Sequence, residues 1–151
     1  MNGPADILRR MHRVVLYDWP DQDVPNSLAL AGFDVIVYGG PTPDDVSRRE
    51  MVDGRVVSRK IGVRPESADL VYAFRPLAEL PHIVEESKRI GASTIWRQSG
   101  LNEAGQRDPS GCAADPDSEQ WRQTVAAAGL QYIDDVYIAD VARRLSAGDL
   151  G

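Results

Sequence analysis

Five short runs dominated by apolar residues constrain this chain more than any other feature: Val14 to Tyr17, Asp34 to Tyr38, Asp69 to Phe74, Ser93 to Trp96 and Leu130 to Ile133. A strand that is apolar at consecutive positions has no face to offer to water, so it must be covered on both sides. Stretches with helical spacing lie between these runs. Alternation of this kind implies βαβ units with right-handed crossovers. The predicted fold class is α/β, in three layers, with a mostly parallel five- to six-stranded sheet and helices on both faces. At 151 residues the chain is expected to form a single domain over 1–151.

Taken in order, Asp6 to Met11 (DILRRM) reads as a short helix capped by Asp6, with Ile7, Leu8 and Met11 on one side. The first strand follows, and Asp18 to Asp23 is a loop. Asp23 then caps a helix that accepts Pro25 in its first turn and stops at Gly32. The second strand ends at Gly39, Gly40 and Pro41. Residues Pro41 to Pro65 lack a sustained period and read as a long excursion with one short edge strand, Asp53-Gly54 being a candidate hairpin turn. Leu80, Ile83, Val84, Ser87 and Ile90 mark the next helix, opened by Pro81 and closed by Gly91. Arg97 to Ser118 reads as a long polar loop. Trp121, Val125 and Ala128 mark a further helix, and Tyr137, Ile138, Val141 and Leu145 a closing one.

Charge narrows the choice of ligand. The net value of −6 argues against general binding to nucleic-acid backbone, where a basic surface normally supplies affinity. Residues 48–64 nevertheless hold six basic side chains against two acidic ones, so that segment carries +4 and the remainder −10. An anionic ligand would find one welcoming stretch on a repelling surface. No apolar run approaches a membrane span and the first residues lack a hydrophobic signal core, which predicts a cytoplasmic protein. Cys112, the one cysteine, agrees with a reducing compartment and lacks a basic neighbour that would activate it. Two histidines, His12 and His82, do not make a zinc set. Asp18, Asp21 and Asp23 carry the oxygen chemistry of a Mg²⁺ site, but alternating acids in a turn read more simply as loop solubility. No catalytic motif is present, and neither catalytic nor metal-binding residues are assigned.

In an open parallel sheet, ligands bind beyond the carboxyl ends of the strands, where strand order reverses. Four loops qualify: those opening at Asp18, Gly39, Arg75 and Arg97. The segments ILRRMHRVVLY, AGFDVIVYGGP, ADLVYAFRPLAELPHIVEESKRIGASTIWRQSGLNEAG and AAGLQYIDDVYIADVARRL together resemble the small bacterial CoA-binding domain proteins. Their Rossmann-like domain also forms the front of the succinyl-CoA synthetase α subunit. The likeness is most specific at Phe74-Arg75, at Trp96 to Gly100, and in the last strand and helix. It implies a Rossmann-like fold and a CoA or acyl-CoA cofactor. By position, Tyr17, Asp18, Trp19 and Pro20 would face the pyrophosphate, and Tyr38, Gly39 and Gly40 the adenosine. Phe74, Arg75 and Pro76 would line the neighbouring wall, and Gln98, Ser99 and Gly100 the far end.

The first loop departs from the family pattern, which has a glycine and a serine whose backbone N–H groups meet phosphate. Here the loop after Tyr17 has no glycine before Gly32, two prolines, and aspartates at 18, 21 and 23. Side chains obstruct the close approach that glycine permits, proline removes donors, and carboxylates repel the anion. Tyr137 stands where many relatives have cysteine. The resulting expectation is a non-catalytic CoA or acyl-CoA binding protein with a degenerate phosphate loop. The alternatives are a Rossmann-like scaffold that has lost CoA and acts through protein contacts or another small ligand, and an NAD(P)-dependent enzyme. Arg75 reads either as a ligand contact or as an arginine paired with Asp18 or Asp21. Trp19 would stack on adenine or cover the first crossover helix, and the 48–64 arginines would meet the 3′-phosphate or form a solvated loop. A small-molecule nucleotide is the expected partner, with a homodimer or an unknown protein partner left open.

Overall fold

The computed structural model describes residues 3–19, 22–39, 42, 44–98, 118–134 and 136–147. Its centre is a seven-stranded sheet in the order β4-β3-β2-β1-β5-β6-β7. The strands are β1 (Arg13–Tyr17), β2 (Asp34–Tyr38), β3 (Val46–Val52), β4 (Arg55–Lys60), β5 (Leu70–Ala73), β6 (Thr94–Arg97) and β7 (Gln131–Asp134). β2, β1, β5, β6 and β7 run parallel, and β3 and β4 add an antiparallel hairpin to one edge. This is the expected α/β Rossmann-like fold with more strands than the five or six predicted.

The helices are α1 (Pro4–Arg9), α2 (Asp23–Leu30), α3 (Leu80–Arg89, preceded by the 3₁₀ turn Leu77–Glu79), α4 (Ser118–Ala127) and α5 (Ile138–Ala147). Alternate residues of each buried strand serve opposite faces, because strand side chains alternate. Val14, Leu16, Val35, Val37, Leu70 and Tyr72 meet Leu8, Leu28, Ile138 and Ala142, so α1, α2 and α5 cover one face. Val15, Ile36, Val71 and Ile95 meet Leu80, Ile83, Trp121 and Val125, so α3 and α4 cover the other. The strand order reverses between β1 and β5. Their carboxyl ends therefore open onto one shared edge of the sheet.

Three local expectations are corrected. Residues 41–65 hold a regular hairpin rather than a loose excursion with one edge strand. Its polar strands carry no continuous apolar signal because β4 is an exposed edge and β3 is half covered. Charges tie the hairpin in place: Arg48 donates to Asp34 at 2.9 Å, Arg13 donates to the same carboxylate at 2.7 Å, and Arg59 donates to Glu50 at 2.7 Å. Asp6 caps nothing, since α1 begins at Pro4 behind Gly3 without a side-chain cap. Asp23 likewise lies inside the first turn of α2, behind Gln22. Its carboxylate points to α5 instead, accepting hydrogen bonds from Tyr137 at 2.8 Å, Arg143 at 2.6 Å and Ser27 at 2.7 Å. The predicted polar loop after β6 falls, apart from its ends, outside the described residues.

The hairpin turn supplies a test of this edge. Asp53 (φ 52°) and Gly54 (φ 78°) both occupy the left-handed region, as a two-residue turn with the twist of its strands requires. Gly54→Ala places a Cβ on that backbone and should lower stability by about 1 kcal/mol. The urea midpoint reports it, and an unshifted midpoint would mean that the hairpin is not formed in solution.

Candidate functional site

Tyr17 and Tyr38 are register partners at the ends of β1 and β2, and both turn towards the α3 face. Their rings meet edge to face at 4.8 Å. The Tyr38 hydroxyl donates to Glu86 of α3 at 2.6 Å, and Arg89, one turn further along, donates to the same carboxylate at 2.6 and 2.7 Å. Glu86 is only 7% exposed, so its charge is tolerable because these donors surround it. Burial alone would raise its pKa. Hydrogen bonds from Arg89 and Tyr38, with the fields of Arg89 and Arg64, outweigh burial and hold the carboxyl below its ordinary range. The tyrosines shift the other way. Burial, then the Glu86 charge, pushes Tyr17 up to about 12, and burial with the Glu86 hydrogen bond raises Tyr38 further.

Arg64, in the segment between β4 and β5, lies over the Tyr38 ring at 4.7 Å. A guanidinium over an aromatic face is attracted by the ring quadrupole. Its Nε is buried without a hydrogen-bond partner. Across the same opening, Asp18 follows β1 with φ of 62°, a backbone conformation ordinarily left to glycine. The Trp19 N–H donates to one Asp18 oxygen at 2.8 Å, and Arg75 donates to the other at 3.1 Å. Arg75 also donates to Glu79 at 2.9 Å through Nε. Arg75 thus joins the loop after β1 to the turn before α3.

These groups border a cleft of about 780 Å³ at the carboxyl ends of β1 and β2, within the range of small-molecule sites. Of the residues predicted for a site, the structure brings Tyr17, Asp18, Trp19, Tyr38, Gly39 and Arg75 to its wall. Three others lie elsewhere. Phe74 packs with the core under α2 and α5, Pro76 does not reach the cleft lining, and Gln98 is buried, accepting from the Tyr72 hydroxyl at 3.1 Å. Pro20, Gly40, Ser99 and Gly100 fall outside the described residues, as do Asp21 and Cys112. Trp19 also does the covering job: it packs on the core beside α2, with Arg49 over its ring at 5.5 Å. Asp18 and Asp23 engage separate partners rather than converging on a cation, and among the described residues no cluster of three or more metal-ligating groups occurs.

Sequence reasoning missed one wall of the cleft. Glu79, His82, Glu85, Glu86 and Arg89 line it from α3 and the turn before it. The signal was present as a titratable stripe at 79, 82, 86 and 89, one face of a helix whose other face carries Leu80, Ile83 and Ile90. Within residues 48–64 only Arg64 reaches the cleft; Arg48 and Arg59 are in ion pairs and Arg49 lies against α2, donating to Gln22 at 3.0 Å. Among the described residues the cleft therefore sets three guanidiniums (Arg64, Arg75, Arg89) against four carboxylates (Asp18, Glu79, Glu85, Glu86). Among the described residues no helix is long and apolar enough to cross a membrane.

The profile of the CoA binding domain matches residues 24–140. Among solved structures, "cell-free ID.343 from Thermus thermophilus" is similar at 19% identity and a TM-score of 0.52, over 92% of this chain and 93% of that one. "Prb (PH1109 protein redesigned for binding)" is similar at 19% identity and a TM-score of 0.56, over 93% of this chain and 88% of that one. At such identity these two likenesses establish the fold. Among curated proteins none matches the chain.

The cleft network predicts a definite acid response. Glu86, lowered from its ordinary value of 4.5, contributes stability that is present above that value and is lost as pH falls through its lower folded pKa. Glu86→Gln removes this contribution, so the stability gap between wild type and variant should narrow below about pH 4.5. Thermal melts between pH 7 and 3 read the gap, and a constant difference would exclude the charged network. Tyr17, raised to about 12, predicts a late phenolate step in absorbance near 295 nm that Tyr17→Phe abolishes. Loss of an ordinary-range step instead of the late one in Tyr17→Phe would mean that this ring is not buried.

Proposed function

The chain belongs to the CoA-binding domain family, and on that premise we propose that it binds CoA or an acyl-CoA in the cleft beyond β1 and β2 without transforming it. The observation that carries this reading is Arg64: a guanidinium on an aromatic wall, its Nε buried and unpartnered, beside a cleft of nucleotide size at the strand-order switch. Gly39, exposed beyond the buried Tyr38 ring, would leave room for an adenine, and Arg64 would meet a phosphate on its ribose. Arg75 meets the anionic middle of the ligand only by exchanging its present carboxylate partners.

The phosphate loop is degenerate in this reading. Its backbone leaves β1 through Asp18 instead of glycine, and the family match begins at residue 24, beyond that turn. Affinity is consequently modest, because a ligand must satisfy arginines already neutralised by Asp18, Glu79 and Glu86. The excess of carboxylates over guanidiniums favours a second reading, a scaffold that has lost CoA and serves a less anionic ligand or a protein partner.

Calorimetric titration separates the two. CoA and acetyl-CoA should release or absorb heat at ligand concentrations up to about millimolar, and NAD should not. Arg64→Ala should weaken CoA by about fivefold or more, as expected for loss of a charge-assisted hydrogen bond. Silence with every nucleotide leaves only the second reading, and unaltered affinity in the variant removes Arg64 from the site.

A further inference from the structure

We propose that Asp18 is the specificity-determining residue of this cleft, its carboxylate occupying from within the protein the seat that a ligand phosphate would take at the end of β1. The inference rests on the reading of the cleft as a nucleotide site and deepens it. Three observations meet at this one side chain. Its backbone adopts φ of 62°, the conformation in which glycine leaves the space above the turn open. One carboxylate oxygen accepts from the Trp19 N–H at 2.8 Å, and the other accepts from the Arg75 guanidinium at 3.1 Å. A backbone N–H and one guanidinium N–H directed at a single anion are partners a phosphate oxygen takes, and here an internal anion holds both, while the Nε side of Arg75 goes to Glu79.

The seat is occupied weakly. The Asp18 side chain is 48% exposed and that of Arg75 37%, so solvent screens their attraction. Asp18 therefore does not close the cleft; it imposes a like charge on any diphosphate entering beside Arg75. Ligands whose anion sits at Arg64 are not opposed in this way. The chain as it stands thus discriminates against the diphosphate of its ligand, and the discrimination resides in a single carboxylate.

Asp18→Gly removes the internal anion at a backbone position that glycine adopts without strain, and the melting temperature should not fall. Asp18→Asn removes the charge while keeping an acceptor for the Trp19 N–H. Titration calorimetry with CoA, inorganic pyrophosphate and pantetheine reads the effect. CoA and pyrophosphate should bind about tenfold or more tightly to the glycine variant and by a smaller factor to the asparagine variant, with pantetheine unchanged. Glu85→Gln, which neutralises another carboxylate of the cleft lining, should give a smaller gain. Equal gains from Glu85→Gln and Asp18→Gly would overturn the seat in favour of a general field effect. CoA bound equally by wild type and Asp18→Gly would overturn it while leaving CoA binding intact. Tightened pyrophosphate with no CoA heat in any variant would uphold the seat and dismiss CoA. Silence with both would dismiss both.

Discussion

Strands that are apolar on two faces set the terms for everything else in this molecule. β1, β2, β5 and β6 are buried along most of their length, and water can be excluded from them only by helices on each side. The helices must return the chain to the same end of the sheet, so all these strands point one way and their carboxyl ends gather along one edge. At that edge the main chain leaves the core within one or two residues. The groups there are polar, close together and partly dehydrated, and the cleft is a consequence of that geometry.

Inside the cleft the dominant physical problem is the disposition of charge. Glu86 is buried and keeps its charge through Tyr38 and Arg89, a local closed circuit in which every strong donor has an acceptor. Arg75 is held by Asp18 and Glu79, and this too leaves little free field. Arg64 lies over the face of the Tyr38 ring, and its field adds to that of Arg89 at Glu86.

Sequence patterns revealed a large part of this arrangement and failed in identifiable places. Buried strands were legible because two-sided burial leaves consecutive apolar residues, and α3 was legible from Leu80, Ile83, Ser87 and Ile90. The hairpin of β3 and β4 was nearly invisible except at Asp53-Gly54. Its strands are mostly exposed or half covered, with Val46 and Val56 reaching the two cores at separate points, so they leave no apolar period. Asp6 and Asp23 satisfied the residue preference of a helix cap, but capping depends on backbone angles one residue away, and the chain began each helix earlier. Phe74, Pro76 and Gln98 were expected near a ligand from their positions in the family resemblance, but Phe74 turns to the core under α2 and α5 and Gln98 is held by Tyr72.

Whereas the reversal of strand order between β1 and β5 came from the structure, the amino-acid sequence alone determined the layer architecture, the parallel core and the unusual acidity of the turn after Tyr17. Each follows from local quantities: apolar periodicity, chain length between strands, and the charge and backbone freedom of single residues. Only the tertiary structure decided which charges meet. Arg64 comes to Tyr38 from the segment after β4, Glu86 comes from a helix 48 positions beyond that tyrosine, and Arg75 spans from the turn before α3 to Asp18, 57 positions before it. Electrostatic interaction falls with distance in space and is indifferent to separation along the chain, so no reading of neighbours in sequence could have paired them.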